Sequence, residues 1–303
     1  MPRRHAIITS LAAAAALSLG CGNYSNEDLD FQLAVPKREE LTAKLPGQAL
    51  VSPDAAEYYR ATREVGTSFN AAVMELTGLV DEVRAVPPSG RNGDERVWGP
   101  FRHATDRDWE IRLRMSRVLG GGEPSFSYVF EFHRVGAPRD PWQSLMSGTF
   151  GLNRGHGELV LDLELARKSG YPVSEFKDLL RITLSYQRRD FPFTVEMKLE
   201  NVPESPNPEA TYGYSENADG SGSLTFVWRR RDNVLAQAIE IRSRWNATGA
   251  GRADARIIEG LAAMTNALGV DCWGPDGRTT YLLREYGSRR EEGVASACVF
   301  AAP

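Results

Sequence analysis

The chain has little of what most catalytic sites are built from. Its 303 residues include only four histidines and three cysteines. No His-Glu-x-x-His, Gly-x-Ser-x-Gly or P-loop pattern occurs, so the signatures of zinc peptidases, α/β-hydrolases and nucleotide-binding loops are missing. No catalytic residue, metal or cofactor is therefore expected. Nor is there an excess of positive charge: 36 Lys and Arg stand against 40 Asp and Glu. That balance gives no footprint for nucleic acid. Beyond the first twenty or so residues no run of ~18 uninterrupted apolar residues appears, so no later transmembrane helix is expected.

What is present begins with an address. Arg3 and Arg4 form a basic head, followed by an apolar run from Ala6 to Gly20. A run of about 15 residues is too short to span a bilayer as a helix, for which ~20 are needed, and it reads as a cleaved export signal over residues 1–20. Leu17-Ser18-Leu19-Gly20-Cys21 resembles the lipobox of bacterial lipoproteins. It departs from the commonest form at Ser18, where Leu is usual, and at Leu19, where a small residue is usual. The resemblance implies that Cys21 is acylated and becomes the mature N-terminus, holding the protein to a membrane of the cell envelope. Gly22, where an inner-membrane lipoprotein carries aspartate, points by the same resemblance to the outer membrane. The other reading is an ordinary secretory signal cut near Ala15 or Gly20, leaving Cys21 as a thiol.

Cysteine usage agrees with export. Cys272 and Cys298 remain as an even pair in an oxidising compartment, and a disulfide between them is expected. Neither has a Cys-x-x-Cys partner or a nearby histidine, which argues against metal-binding thiolates. Of the histidines left after the signal, His133 falls on the polar phase of a strand and His156 in a hairpin turn, so both read as solvated. His103 completes the set, and zinc would require all three to meet in space.

Residues 21–51 read as the lipidated cysteine and a flexible tether, polar and acidic with Pro36 and Pro46 and no sustained apolar period. Ser52-Pro53-Asp54 is a helix-start signal. Tyr58, Thr62, Val65, Phe69, Val73, Leu76, Val80 and Val83 then recur at spacings of three and four, which predicts an amphipathic helix over 53–85, ended by Val86-Pro87-Pro88.

After Gly90 the period changes to two. Trp109 to Met115, Phe126 to Phe132, Leu159 to Leu165, Ile182 to Tyr186, Phe191 to Leu199, Leu224 to Trp228 and Ile239 to Ile241 each alternate apolar with polar residues. Strict alternation marks strands with one dry and one wet face, hence an antiparallel sheet. Gly120-Gly121-Gly122, Asn153-Arg154-Gly155, Ala218-Asp219-Gly220 and Asp276-Gly277 supply the turns. The expected fold is mainly β (α+β), a single domain over 52–303 with nine or ten meandering strands over 95–301 and one helical turn near Ser174–Leu180. Asn217-Ala-Asp219-Gly-Ser221-Gly222 has the opening spacing of a calcium loop, but Trp228 occupies the place of its bidentate acid, so a polar hairpin tip is expected.

Nine strands at ~4.8 Å make a sheet ~43 Å wide, against ~10 Å for one helix. A single helix cannot cover such a face, so the sheet is expected to curl into a half-barrel with the helix on its concave side. A helix followed by an antiparallel meander resembles, in element order, the periplasmic lipoprotein carriers and lipid-binding lipoproteins. The expected function is accordingly non-enzymatic: an envelope lipoprotein holding an apolar molecule or lipid between helix and sheet. Its lining would be Phe69, Val73, Trp109, Phe126, Phe130, Phe193, Phe226 and Trp228. The alternative is a structural or assembly lipoprotein that binds partner proteins of the envelope. A transmembrane β-barrel, which also alternates, fits poorly with the tether, the long helix and the Ala-Ala-Pro end after Phe300.

Overall fold

The computed structural model describes residues 24–47, 54–81, 86–103, 106–120, 123–173, 178–202, 208–229, 238–265, 268–285 and 289–302. The export signal and Cys21 lie outside them. Among these residues are three α-helices and fifteen strands, every strand antiparallel to its neighbours in the order of the sequence. Mainly β is therefore correct. The strand count exceeds the nine or ten expected of a half-barrel. The chain divides into two compact units, the first holding residues up to Leu41 and Ala72–Ser185, the second Thr42–Ala71 and Tyr186 onward.

The first unit contains strands β1 (Gly90–Asn92), β2 (Glu95–Arg102), β3 (Trp109–Val118), β4 (Ser125–Arg134), β5 (Gln143–Gly151), β6 (His156–Asp162) and β7 (Leu179–Gln187, which runs two residues past the boundary). Alternation decides its core. Ile111, Leu113 and Met115 stand opposite Phe132, Phe130 and Tyr128 in register, and all six are buried. The pattern breaks where it was expected to continue. β6 stops at Asp162, whose carboxylate accepts the Leu165 N–H and caps a short helix, α3 (Leu163–Lys168). Leu163 stays buried while Leu165 turns out to solvent. A single capping acid thus outweighs the two-residue period.

The expected tether is largely folded. Residues Asn26–Ala34 form helix α1, begun by a reciprocal capping box between Ser25 and Asp28. Asp28, Phe31 and Ala34, three apart, make its buried face. Phe31 packs edge-on against Phe126 at 5.0 Å, with the Arg96 guanidinium 5.0 Å over its ring. Arg96 Nε also donates to Asp28 Oδ1 at 2.6 Å, and Arg91 donates to Asp28 Oδ2. Sequence pattern missed α1 because a buried aspartate breaks its apolar stripe.

In place of one long N-terminal helix over 53–85, the structure has helix α2 (Glu57–Asp81), 25 residues long and second in order after α1. Its residues from Ala72 onward belong to the first unit, where Val73, Leu76, Thr77 and Val80 are buried.

The second unit contains β8 (Phe193–Asn201), β9 (Glu209–Glu216), β10 (Gly222–Arg229), β11 (Ala238–Trp245), β12 (Gly251–Glu259), β13 (Leu268–Trp273), β14 (Thr279–Arg284) and β15 (Arg290–Gly293). One transverse row explains how the first half of α2 sits on it. Val195, Tyr214, Leu224, Ser243, Ala253, Asp271 and Leu282 are successive partners across seven strands, and all are buried. Helix α2 meets the row at its small and polar members: Thr62 Oγ1 lies 2.5 Å from Ser243 Oγ, and the Tyr58 N–H donates to Asp271 at 2.9 Å. The preceding strand of chain is tied down too. Asn70 exchanges two hydrogen bonds with the backbone of Ala43, and the Lys44 N–H donates to the Tyr214 hydroxyl.

Three hairpins of this unit share one turn. In β9–β10, β11–β12 and β13–β14 the first turn residue donates its N–H to the fifth (Asn217 to Ser221, Asn246 to Ala250, Gly274 to Arg278). The fourth residue is a glycine with positive φ in each: Gly220, Gly249 and Gly277. Side-chain oxygens of Asp219, Asn246 and Asp276 accept backbone N–H groups two residues on. The calcium-like spacing at 217–222 is one of these turns, with Asp219 Oδ1 and Ser221 Oγ engaged inside it.

Candidate functional site

One cluster of titratable groups lies on the wet face of β3 and β4. Arg112 Nε donates to Glu131 at 2.7 Å and Arg114 Nε to the same carboxylate at 2.9 Å. Burial would raise the Glu131 carboxyl, but the two arginines outweigh it and hold it below its ordinary value. His133 Nδ1 lies 3.2 Å from Glu110, and Nε2 lies 2.9 Å from the Ala137 carbonyl and 3.1 Å from that of Asp140. Trp142 folds over the group, stacking on His133 at 5.0 Å under the Arg112 guanidinium at 4.1 Å. A histidine–carboxylate pair is half of a nucleophile-activating arrangement. Here the second ring nitrogen faces two main-chain carbonyls, so the group acts as a clamp on the β4–β5 turn. His133 is consequently buried, not solvated as its polar phase suggested.

The other histidines lie elsewhere. His103 packs edge-on to Tyr171 at 5.4 Å, its pKa lowered by burial against a weaker opposing pull from Asp106. His156 is exposed. No group of three or more metal-ligating side chains occurs among the described residues.

The eight side chains expected to line an apolar cavity fall into two groups. Val73, Trp109, Phe126 and Phe130 are buried in the first unit, and Phe69 and Phe226 in the second. Their neighbours are protein: Phe126 meets Phe31, Trp109 meets Phe132, and Phe69 lies 6.2 Å from Tyr212. Phe193 is half-buried, stacked on the exposed Phe191. A cavity beside α1 and α2, lined by Phe31, Val35, Val80, Trp98, Leu113 and Met115, measures about 10 Å³, no more than one water requires.

Cys272 and Cys298 form the expected disulfide. Cys272 lies on the sheet face opposite Asp271, beside Val270 and Tyr281. The bond holds the C-terminal segment there, helped by Arg244 Nη2 donating to the Ala301 carbonyl at 2.8 Å.

The feature sequence reasoning passed over is a surface. At the end of the second unit away from its three polar turns, Arg229, Ala238 and Glu259 are neighbours in register on β10, β11 and β12. Just beyond Glu259 the turn Leu261–Thr265 presents Leu261 at 61% and Met264 at 84% exposure. On β10 at the same end, Trp228 is 37% exposed and pairs with the half-buried Ile239, which pairs with Ile257. The local signal was legible as Gly260-Leu-Ala-Ala-Met264, a hairpin connection without the turn chemistry of its three counterparts. No protein-family profile matches the chain, and neither a curated protein nor a solved structure matches it.

Proposed function

We propose that this is a non-enzymatic, lipid-anchored protein of the bacterial envelope that works by binding a partner protein. The membrane anchor rests on the lipobox-like segment ending at Cys21. The observation carrying the partner reading is the exposed apolar turn at Leu261 and Met264, at the same end of the sheet as Trp228. A turn exposed to water usually carries polar or turn-forming residues, and exposed apolar clusters usually mark contacts. An apolar ligand held between helix and sheet, the other reading of the sequence, is supported less well. Phe69, Trp109 and Phe126 already have protein side chains against them.

Placing a photo-crosslinking amino acid at position 264 in cells tests the partner, with a second site on an exposed polar turn, Thr248, as control. A reproducible adduct from 264 and none from 248 is expected; equal adducts from both would end the reading. Labelling with a clickable fatty acid tests the anchor separately, with label expected on the wild type and none on Cys21→Ala.

A further inference from the structure

The first turn of α2 rests on a buried acid that is only half satisfied. Asp271 is completely enclosed. Its Oδ2 accepts the Tyr58 N–H at 2.9 Å, while Oδ1 is buried with no hydrogen-bond partner among the described residues. The strand neighbours in register, Ala253 and Leu282, are apolar and offer no countercharge. From α2 the acid faces the Glu57 carboxylate and, beside it, the Glu57 main-chain N–H; from β14 it faces the Thr279 hydroxyl, and these two donors pull its carboxyl down less than burial pushes it up. The nearest cation on β14, Arg284, is ion-paired with Glu57. Two acids and one engaged arginine therefore meet at a helix start, and no donor among the described residues stands within hydrogen-bond distance of Oδ1 while the group is charged. An orphaned, enclosed carboxylate oxygen is costly; a proton on it removes the charge that makes it so.

We propose that Asp271 is a proton-operated clasp: with a proton on Oδ1 the first turn of α2 stays seated on β13, and loss of that proton loosens it. Burial pushes the carboxyl up to about 6, against the pull of the Tyr58 N–H, and the charge of Glu57 adds to the rise. When the turn opens, the acid meets water and returns to its ordinary 3.8. Closing the turn therefore takes up a proton between about pH 4 and pH 6. Opening becomes easier as pH rises through that window and changes no further above it.

Hydrogen exchange of the amides at 57–62, measured on the full exported chain from pH 4 to 7 and corrected for intrinsic exchange, reads the opening directly. Protection is expected to fall by about a hundredfold up to pH 6 and then level off. In Asp271→Asn, which keeps an acceptor for Tyr58 and cannot ionise, protection should be flat. A flat wild-type profile, or the same fall in the variant, overturns the clasp. Should Asp271→Asn not fold, carboxyl NMR on the wild type decides: a midpoint above about 5 supports the proposal, and one at or below 5 overturns it.

Discussion

The Arg96 guanidinium and the Asp28 carboxylate meet at 2.6 Å with both side chains out of solvent, at 3% and 0% exposure. Removing one member strands the other in the interior. Asp28→Ala should therefore destabilise the protein by about 3 kcal/mol, the lower end of the range for breaking a buried pair, because Glu27 still reaches Arg96 from the surface at 2.8 Å. Chemical denaturation followed by tryptophan fluorescence would measure it. A loss under about 1 kcal/mol would mean that α1 contributes little to the first unit.

The same carboxylate sets an acid limit. Burial raises the Asp28 pKa, but hydrogen bonds from the Ser25 N–H, Arg96 and Arg91 outweigh that and lower it to about 2. A depressed folded-state pKa means stability that is whole above about pH 4 and drains away as pH falls toward 2, by about 2 kcal/mol at most. Melting curves from pH 5 to pH 2 should show this slope in the wild type, and a shallower one in Asp28→Asn.

The Cys272–Cys298 bond closes a separation of 26 residues. Replacing both cysteines by serine should cost about 3 kcal/mol by the loop-entropy estimate. Without the bond the hydrogen bonds of Arg244 and Arg252 to the Ala301 and Phe300 carbonyls are left to hold the tail, so it should lose protection from proteolysis while the sheet stays folded. Limited proteolysis with mass mapping distinguishes tail release from global opening.

Two glycines in like turns should respond differently to alanine. Gly220 and Gly249 both have positive φ, so either substitution carries a backbone cost of about 1 kcal/mol. A Cβ at Gly220 would find its nearest neighbour at 3.9 Å, whereas one at Gly249 would meet the Gly47 main-chain nitrogen at 2.9 Å. Gly249→Ala should thus lose at least about 1 kcal/mol more than Gly220→Ala. Equal losses in thermal denaturation would show that the chain near Gly47 gives way freely.

Much of the candidate surface was within reach of the sequence, and much of the core was read from it. Every apolar-phase side chain from Trp109 to Met115 and from Phe126 to Phe132 is buried, because a period of two leaves one side of an antiparallel pair dry; Glu131 and His133, on the other phase of β4, are buried as well. Trp228 was assigned to a cavity wall on that same logic, yet it stands more than a third exposed. Phase says which face a side chain is on; whether another element covers that stretch of face is a separate matter.

The sequence by itself determined the β class, the turns at Gly220 and Gly277 and the pairing of Cys272 with Cys298. Each depends on local periodicity, turn chemistry or a count of two. Only the tertiary structure decided that Asn26–Ala34 is a helix, that His133 is enclosed and that Asp271 lies beneath α2. In each of these a polar side chain is held by a partner outside its own helix or strand: Arg96 for Asp28, the β4–β5 turn for His133, the Tyr58 amide for Asp271. Hydropathy scores such residues as water-facing, because it cannot see the group that replaces the water.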